Sequence, residues 1–151
     1  MDGEPLIYDL LRLIRAMDEA TDSEIRDLTT SLGLTHALAD ALWQLDPTVS
    51  APSMRQMAAK LHCDPSTVTF LADRLEQLSY VKRMQAPHDR RTKVLHLTEQ
   101  GHMARQRLVD AATTRTPIAR LTVDEQHALH QLMTKAMAPY ADTGNDGSPP
   151  P

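Results

Sequence analysis

The sequence predicts a mainly helical α+β chain, in which a helix-turn-helix is followed by a two-stranded β hairpin and long helices lie on either side. Three observations predict it. Asp64-Pro65 is a cap residue followed by a first-turn proline, and Val68, Leu71, Leu75 and Leu78 then recur at helical spacing as a core-facing stripe. Just before it, the link His62-Cys63-Asp64 is short enough to set two helices at a steep angle. Just after it, Val94-Leu95-His96-Leu97 follows a mostly period-two pattern and Thr98 can cap another helix, which holds Asp89-Arg90-Arg91 at a hairpin tip.

The elements follow in order. Pro5 suits a first turn, and Leu6, Leu10, Leu13, Met17, Ile25 and Leu28 mark one stripe of a helix over 5–31, with Gly33 as its C-terminal cap. Thr35 caps a second helix carrying Leu38, Leu42 and Leu45, which stops before Pro47. Ser50 with Pro52 opens a third, carrying Met54, Met57, Ala58 and Leu61. Asp64-Pro65 opens the fourth, which runs to about Leu78. Val81 to Gln85 reads as one strand, Ala86 to Arg91 as the turn and Lys93 to Leu97 as the returning strand. Thr98 starts a fifth helix that Pro117 ends or kinks, and Thr122-Val123-Asp124-Glu125 is a capping box opening a sixth to about Tyr140. The expected organisation is one domain over 1–140, with the helix-turn-helix and hairpin at about 35–100. The segment 141–151, with its glycines and prolines, is expected to be disordered.

A chain of 151 residues with 41% hydrophobic residues is enough for one domain with a proper core. No apolar run approaches the ~20 residues of a membrane helix, and the N-terminal layout is not that of a secretory signal. The single cysteine, Cys63, fits a reducing compartment, so a cytoplasmic protein without membrane contact is expected. The net charge of −4 is unevenly distributed: residues 1–49 hold three basic and ten acidic side chains, 50–100 hold eight and five, and 101–151 five and five. A basic middle segment suits phosphates, although a surplus this small also arises by chance.

At 100° per residue the outward arc of the fourth helix holds Ser66, Thr69, Phe70, Asp73 and Gln77, with Thr67 and Arg74 at its edges. Short hydroxyls near a helix N-terminus let the backbone approach a major groove, where Ser or Thr can bond base edges or phosphates. Plain readings stand beside these. Ser66 and Thr67 are ordinary first-turn residues, and Arg74 can pair with Asp73 or Glu76 as readily as with phosphate. Phe70, the only phenylalanine, either touches a partner or folds back on a neighbouring helix. At the hairpin, Arg91 can reach into a minor groove with Asp89 holding its guanidinium, while Arg90, Lys93, Lys82 and Arg83 are placed for phosphates. A solvated charged turn is the plain alternative.

In this order and spacing, Asp64-Pro65-Ser66-Thr67-Val68-Thr69, Asp73-Arg74-Leu75-Glu76, Tyr80-Val81-Lys82-Arg83, Asp89-Arg90-Arg91 and Leu97-Thr98-Glu99-Gln100-Gly101 resemble the MarR family of winged helix-turn-helix transcription regulators, over roughly 6–140. The resemblance implies a homodimer whose first, fifth and sixth helices interlock, with helix 65–78 in the major groove of a pseudo-palindromic operator and the wing in the minor groove. It makes Arg91 the minor-groove arginine and Asp89 its orienting acid. Ser79 stands where a glycine commonly closes the recognition helix, and Pro117 interrupts a helix that is usually continuous. The family's peroxide sensors carry a reactive cysteine in the first helix, which this chain lacks.

Similar regulators hold small aromatic or phenolic effectors between the dimerisation helices and the winged part, and Met17, His36, Trp43, Met54 and Met103 are candidates to line such a crevice or plain core. His127 and His130 form an i, i+3 pair with no further ligands at metal spacing, so neither metal nor cofactor is expected. No phosphate loop, nucleophile elbow or zinc-protease spacing is present, and an enzyme is not expected. The reading is a dimeric DNA-binding repressor relieved by a ligand. The alternatives are a winged protein-interaction module without DNA binding, and a redox-responsive regulator switched at Cys63.

Overall fold

Caps and prolines decide where the helices begin and end. The computed structural model describes residues 3–141 and orders them as α1 (Gly3–Ser31), α2 (His36–Trp43), α3 (Met54–Leu61), α4 (Pro65–Gln77), β1 (Val81–Ala86), β2 (Asp89–Leu97), α5 (Glu99–Arg115), a 3₁₀ turn (Pro117–Arg120) and α6 (Val123–Ala141). The tail expected to be disordered lies, past Ala141, outside the described residues. Gly33, at φ +69°, closes α1 in the left-handed region. Thr35 caps α2 by accepting from the Leu38 N–H. Thr98 caps α5 by accepting from the Gly101 N–H. Thr122 and Glu125 form the reciprocal box ahead of α6. Thr116, forced out of helical geometry by Pro117, sits at φ −78°, ψ 159° and stops α5.

Two boundaries differ from expectation. The third helix starts not at Ser50 but at Ser53, which forms a capping box with Gln56. The reason is a non-local pairing: Ser53 bridges Val94, and the Leu95 N–H donates to the Pro52 carbonyl at 3.0 Å, so residues 52–53 are held extended against β2. The hairpin turn is also shorter than expected, because Ala86 already pairs with Asp89. The next pair up the ladder is Gln85 with Lys93, which leaves Arg90, Arg91 and Thr92 without counterparts on β1. The two arginines therefore project from a bulge in β2 rather than from the turn.

The core gathers Leu34, Leu38 and Leu42 with Met57, Val68, Leu71, Leu75, Val81, Leu95 and Leu108. α4 and the base of the hairpin are thus anchored from behind. The start of α5 is wedged under the hairpin: a Cβ at Gly101 would lie 1.9 Å from the Tyr80 carbonyl oxygen. The first half of α1 takes no part in this core, with Leu6, Ile7, Tyr8, Leu10, Leu11, Leu13 and Ile14 each 50–71% exposed. α6 carries exposed Leu132, Met133 and Met137, and no other described element packs extensively on it.

Candidate nucleic-acid interface

Burying Val68, Leu71, Ala72 and Leu75 turns the other side of α4 to solvent. Ser66, Thr69, Phe70, Asp73, Arg74 and Gln77 are exposed there, with Thr67 half-buried at the edge. Phe70 does not fold back: it is 62% exposed. Asp64 occupies the N-cap position, but its carboxylate caps no backbone N–H and accepts from the Thr67 hydroxyl at 3.4 Å. Thr69 donates its hydroxyl to the Pro65 carbonyl at 3.0 Å, and Arg74 donates to Gln77 Oε1 at 2.6 Å rather than to Asp73 or Glu76.

Those two acids are held by Arg83. Its guanidinium lies 2.7 Å from Asp73 Oδ1, pairs with Glu76 Oε2 and donates to the Thr69 carbonyl at 3.2 Å, while its backbone N–H donates to Glu76 Oε1 at 2.9 Å. Arg83 was expected to meet phosphates; instead it staples β1 to α4 and neutralises the acids of the outward face. Helix and hairpin thereby share a fixed relative pose. The staple was not legible because residues 76 and 83 come together only after the chain reverses at Ser79.

That reversal is made without glycine. Ser79 sits at φ +62°, its N–H donating to the Glu76 carbonyl while the Tyr80 N–H reaches Leu75 O and the Thr98 hydroxyl donates to Ser79 O. A side chain in the left-handed region costs roughly 1–2 kcal/mol. Ser79→Gly is therefore expected to raise stability by about 1 kcal/mol, less the entropy a glycine adds to the unfolded chain. A denaturant midpoint that does not rise, at constant m, would count against strain at this turn.

In the hairpin bulge the Asp89 carboxylate accepts from the Arg91 backbone N–H at 2.9 Å and from the Thr92 hydroxyl at 2.7 Å. Asp89 thus orders the backbone beneath Arg91, whereas the sequence suggested that it would hold the guanidinium. Among the described residues, the side chains of Lys82, Arg90, Arg91 and Lys93 form no hydrogen bond or ion pair within the chain. The bonds from Thr92 and from the Arg91 N–H hold the Asp89 carboxyl below the usual carboxylate range. A depressed folded-state value means that the bracing is fully present above that range and is lost as pH falls through the depressed value. The Arg91 amide resonance is expected to titrate there in a heteronuclear NMR series, and to lose the transition in Asp89→Asn.

The expected effector-lining residues fall outside the two main clefts. Trp43 and Met54 pack half-buried against the core, His36 pairs with Asp22 at 3.0 Å, and Met17 is half-buried on α1. None of the four lines the cleft of about 750 Å³ between the α2–α3 loop and the hairpin, or the one of about 440 Å³ between α1 and α5. Met103 is exposed on α5. Cys63 is half-buried, and desolvation, then Asp64 and Asp40, push its thiol pKa up, which keeps it protonated and poorly nucleophilic at neutral pH. Among the described residues no cluster of three potential metal ligands exists, and no helix is long and apolar enough to cross a membrane.

The geometry is an outward helix face beside a hairpin that carries unpaired cations. The MarR family's sequence profile matches residues 34–93, the segment holding both. Residues 34–93 are thus a MarR-family segment. The family to which that segment belongs consists of transcription regulators. The chain is 28% identical over 102 residues to the HTH-type transcriptional regulator MgrA of Staphylococcus aureus, a match covering 68% of this chain and 67% of MgrA. Two solved structures have the same fold. Sco3205 of Streptomyces coelicolor, a MarR family transcriptional regulator in complex with DNA, superposes with a TM-score of 0.71 at 22% identity, covering 100% of this chain and 96% of that one. CouR of Rhodococcus jostii RHA1, bound to p-coumaroyl-CoA, gives 0.67 at 24% identity, with 93% and 94% covered. The winged helix-turn-helix is α3, α4 and the β1–β2 wing, and Ser66, Thr67, Thr69, Phe70 and Arg74 lie on the second helix of that motif.

Proposed function

We propose that this regulator binds duplex DNA as a homodimer, with α4 in the major groove and the bulged wing at the minor groove of each half-site, and acts as a repressor that a small ligand releases. The carrying observation is the pair Arg90 and Arg91 on a carboxylate-braced bulge, their guanidiniums without partners among the described residues, beside the exposed face of α4. Free guanidiniums on an ordered backbone suit phosphates and a narrow groove. The exposed apolar rows of α1 and α6 support a second copy, because isolated large apolar rows of this extent are uncommon on a monomer's surface. Release by a ligand is supported by CouR, solved with an acyl-CoA on the same fold. As a dimer the protein reads a pseudo-palindrome whose half-sites lie ~10 bp or a multiple of that apart.

Selection of bound sequences from random duplexes tests binding, symmetry and spacing together. In the same assay, affinity falls steeply with salt as phosphate contacts release counterions; a flat salt response would remove the DNA reading and leave an interaction module. Arg83→Ala separates the staple from a phosphate contact. Its loss is expected to lower stability by about 1–2 kcal/mol, as bonds to charged groups do when partly exposed, and to weaken binding while leaving the salt slope unchanged. A slope reduced by about one would make Arg83 a phosphate ligand instead.

A further inference from the structure

We infer that Phe70 is a specificity-determining residue that reads the C5 methyl group of a thymine in the major groove. The inference rests on the DNA-binding reading above. Its starting point is what the outward face has left to offer. The Thr69 hydroxyl is committed to the Pro65 carbonyl and the Thr67 hydroxyl to Asp64. Arg74 and Gln77 satisfy one another at 2.6 Å. Asp73 is held by Arg83, together with Glu76. The threonine hydroxyl protons and one Arg74 N–H are thus engaged within the chain, so using those particular donors on a base edge sets the gain on binding against a bond lost.

Phe70 breaks nothing. Its ring is 62% exposed on the same face, has neither donor nor acceptor, and gains by leaving water. On the major-groove edges of the four base pairs, the thymine methyl is the apolar group that such a ring can recognise. Arg83 lessens the repulsion that Asp73 and Glu76 would raise against phosphates, since its guanidinium pairs with both carboxylates.

Chemistry on the DNA tests this without altering the protein's charge. In a duplex obtained by selection, each thymine of a half-site is replaced in turn by uracil, which lacks only the methyl group, and affinity is measured for the parent, Phe70→Ala and Phe70→Leu. One thymine per half-site is expected to lose about fourfold on replacement in the parent, the worth of one buried methyl-sized group. Phe70→Ala is expected to bind the thymine and uracil duplexes equally, and Phe70→Leu to keep part of the difference. Tight binding with no uracil-sensitive position, or a sensitivity that persists in Phe70→Ala, overturns the assignment while leaving DNA binding intact. Failure to bind any duplex overturns both.

Discussion

Gly101→Ala is expected to destabilise the protein by about 3 kcal/mol, a fall in melting temperature of roughly 6–12 °C for a domain of this size. The added Cβ would lie 1.9 Å from the Tyr80 carbonyl oxygen and 2.9 Å from its carbon, and those are backbone atoms that cannot swing aside. The same carbonyl accepts the Thr98 N–H at 3.0 Å, and the Gly101 N–H is the group capped by the Thr98 hydroxyl. Relief must therefore come from lifting α5 off the hairpin base, which uncaps the helix and uncovers Leu97, whose Cδ2 would stand 3.2 Å from the new atom. Thermal unfolding followed by circular dichroism measures the effect; a shift under about 2 °C would show that α5 has more room here than the structure gives it.

Arg91→Ala is expected to weaken operator binding by on the order of 1–3 kcal/mol and to reduce the salt slope by about one. Because Asp89 and Thr92 brace the backbone and leave the guanidinium alone, truncating the side chain preserves the bulge. Folding stability should thus be unchanged, which isolates the electrostatic contribution. A gel-shift titration at matched salt that finds parental affinity would exclude Arg91 from the contact.

Much of this was legible because it is local. Thr35, Thr98 and the Thr122/Glu125 box announce their helices within four residues, Pro117 stops α5 where a proline should, and the stripe from Val68 to Leu75 identifies the buried side of α4 and hence its outward face. What escaped was made by residues distant in sequence. Ser53 rather than Ser50 caps α3 because Val94 and Leu95, some forty residues on, hold residues 52–53 extended. Arg83 was assigned to phosphate because its partners, Asp73 and Glu76, are reached only through the reversal at Ser79. The bulge that presents Arg90 and Arg91 is a matter of register, to which alternation of residue types is blind. Trp43 and Met54 are as suitable for a core as for a crevice, and both pack partly buried against the core.

The seam between Ser53 and Val94 has a mechanical consequence. With its inner edge laced to the segment that precedes α3, and Arg83 riveting its outer strand to α4, the base of the hairpin is held from both sides. A protomer would travel over the double helix as one rigid tool.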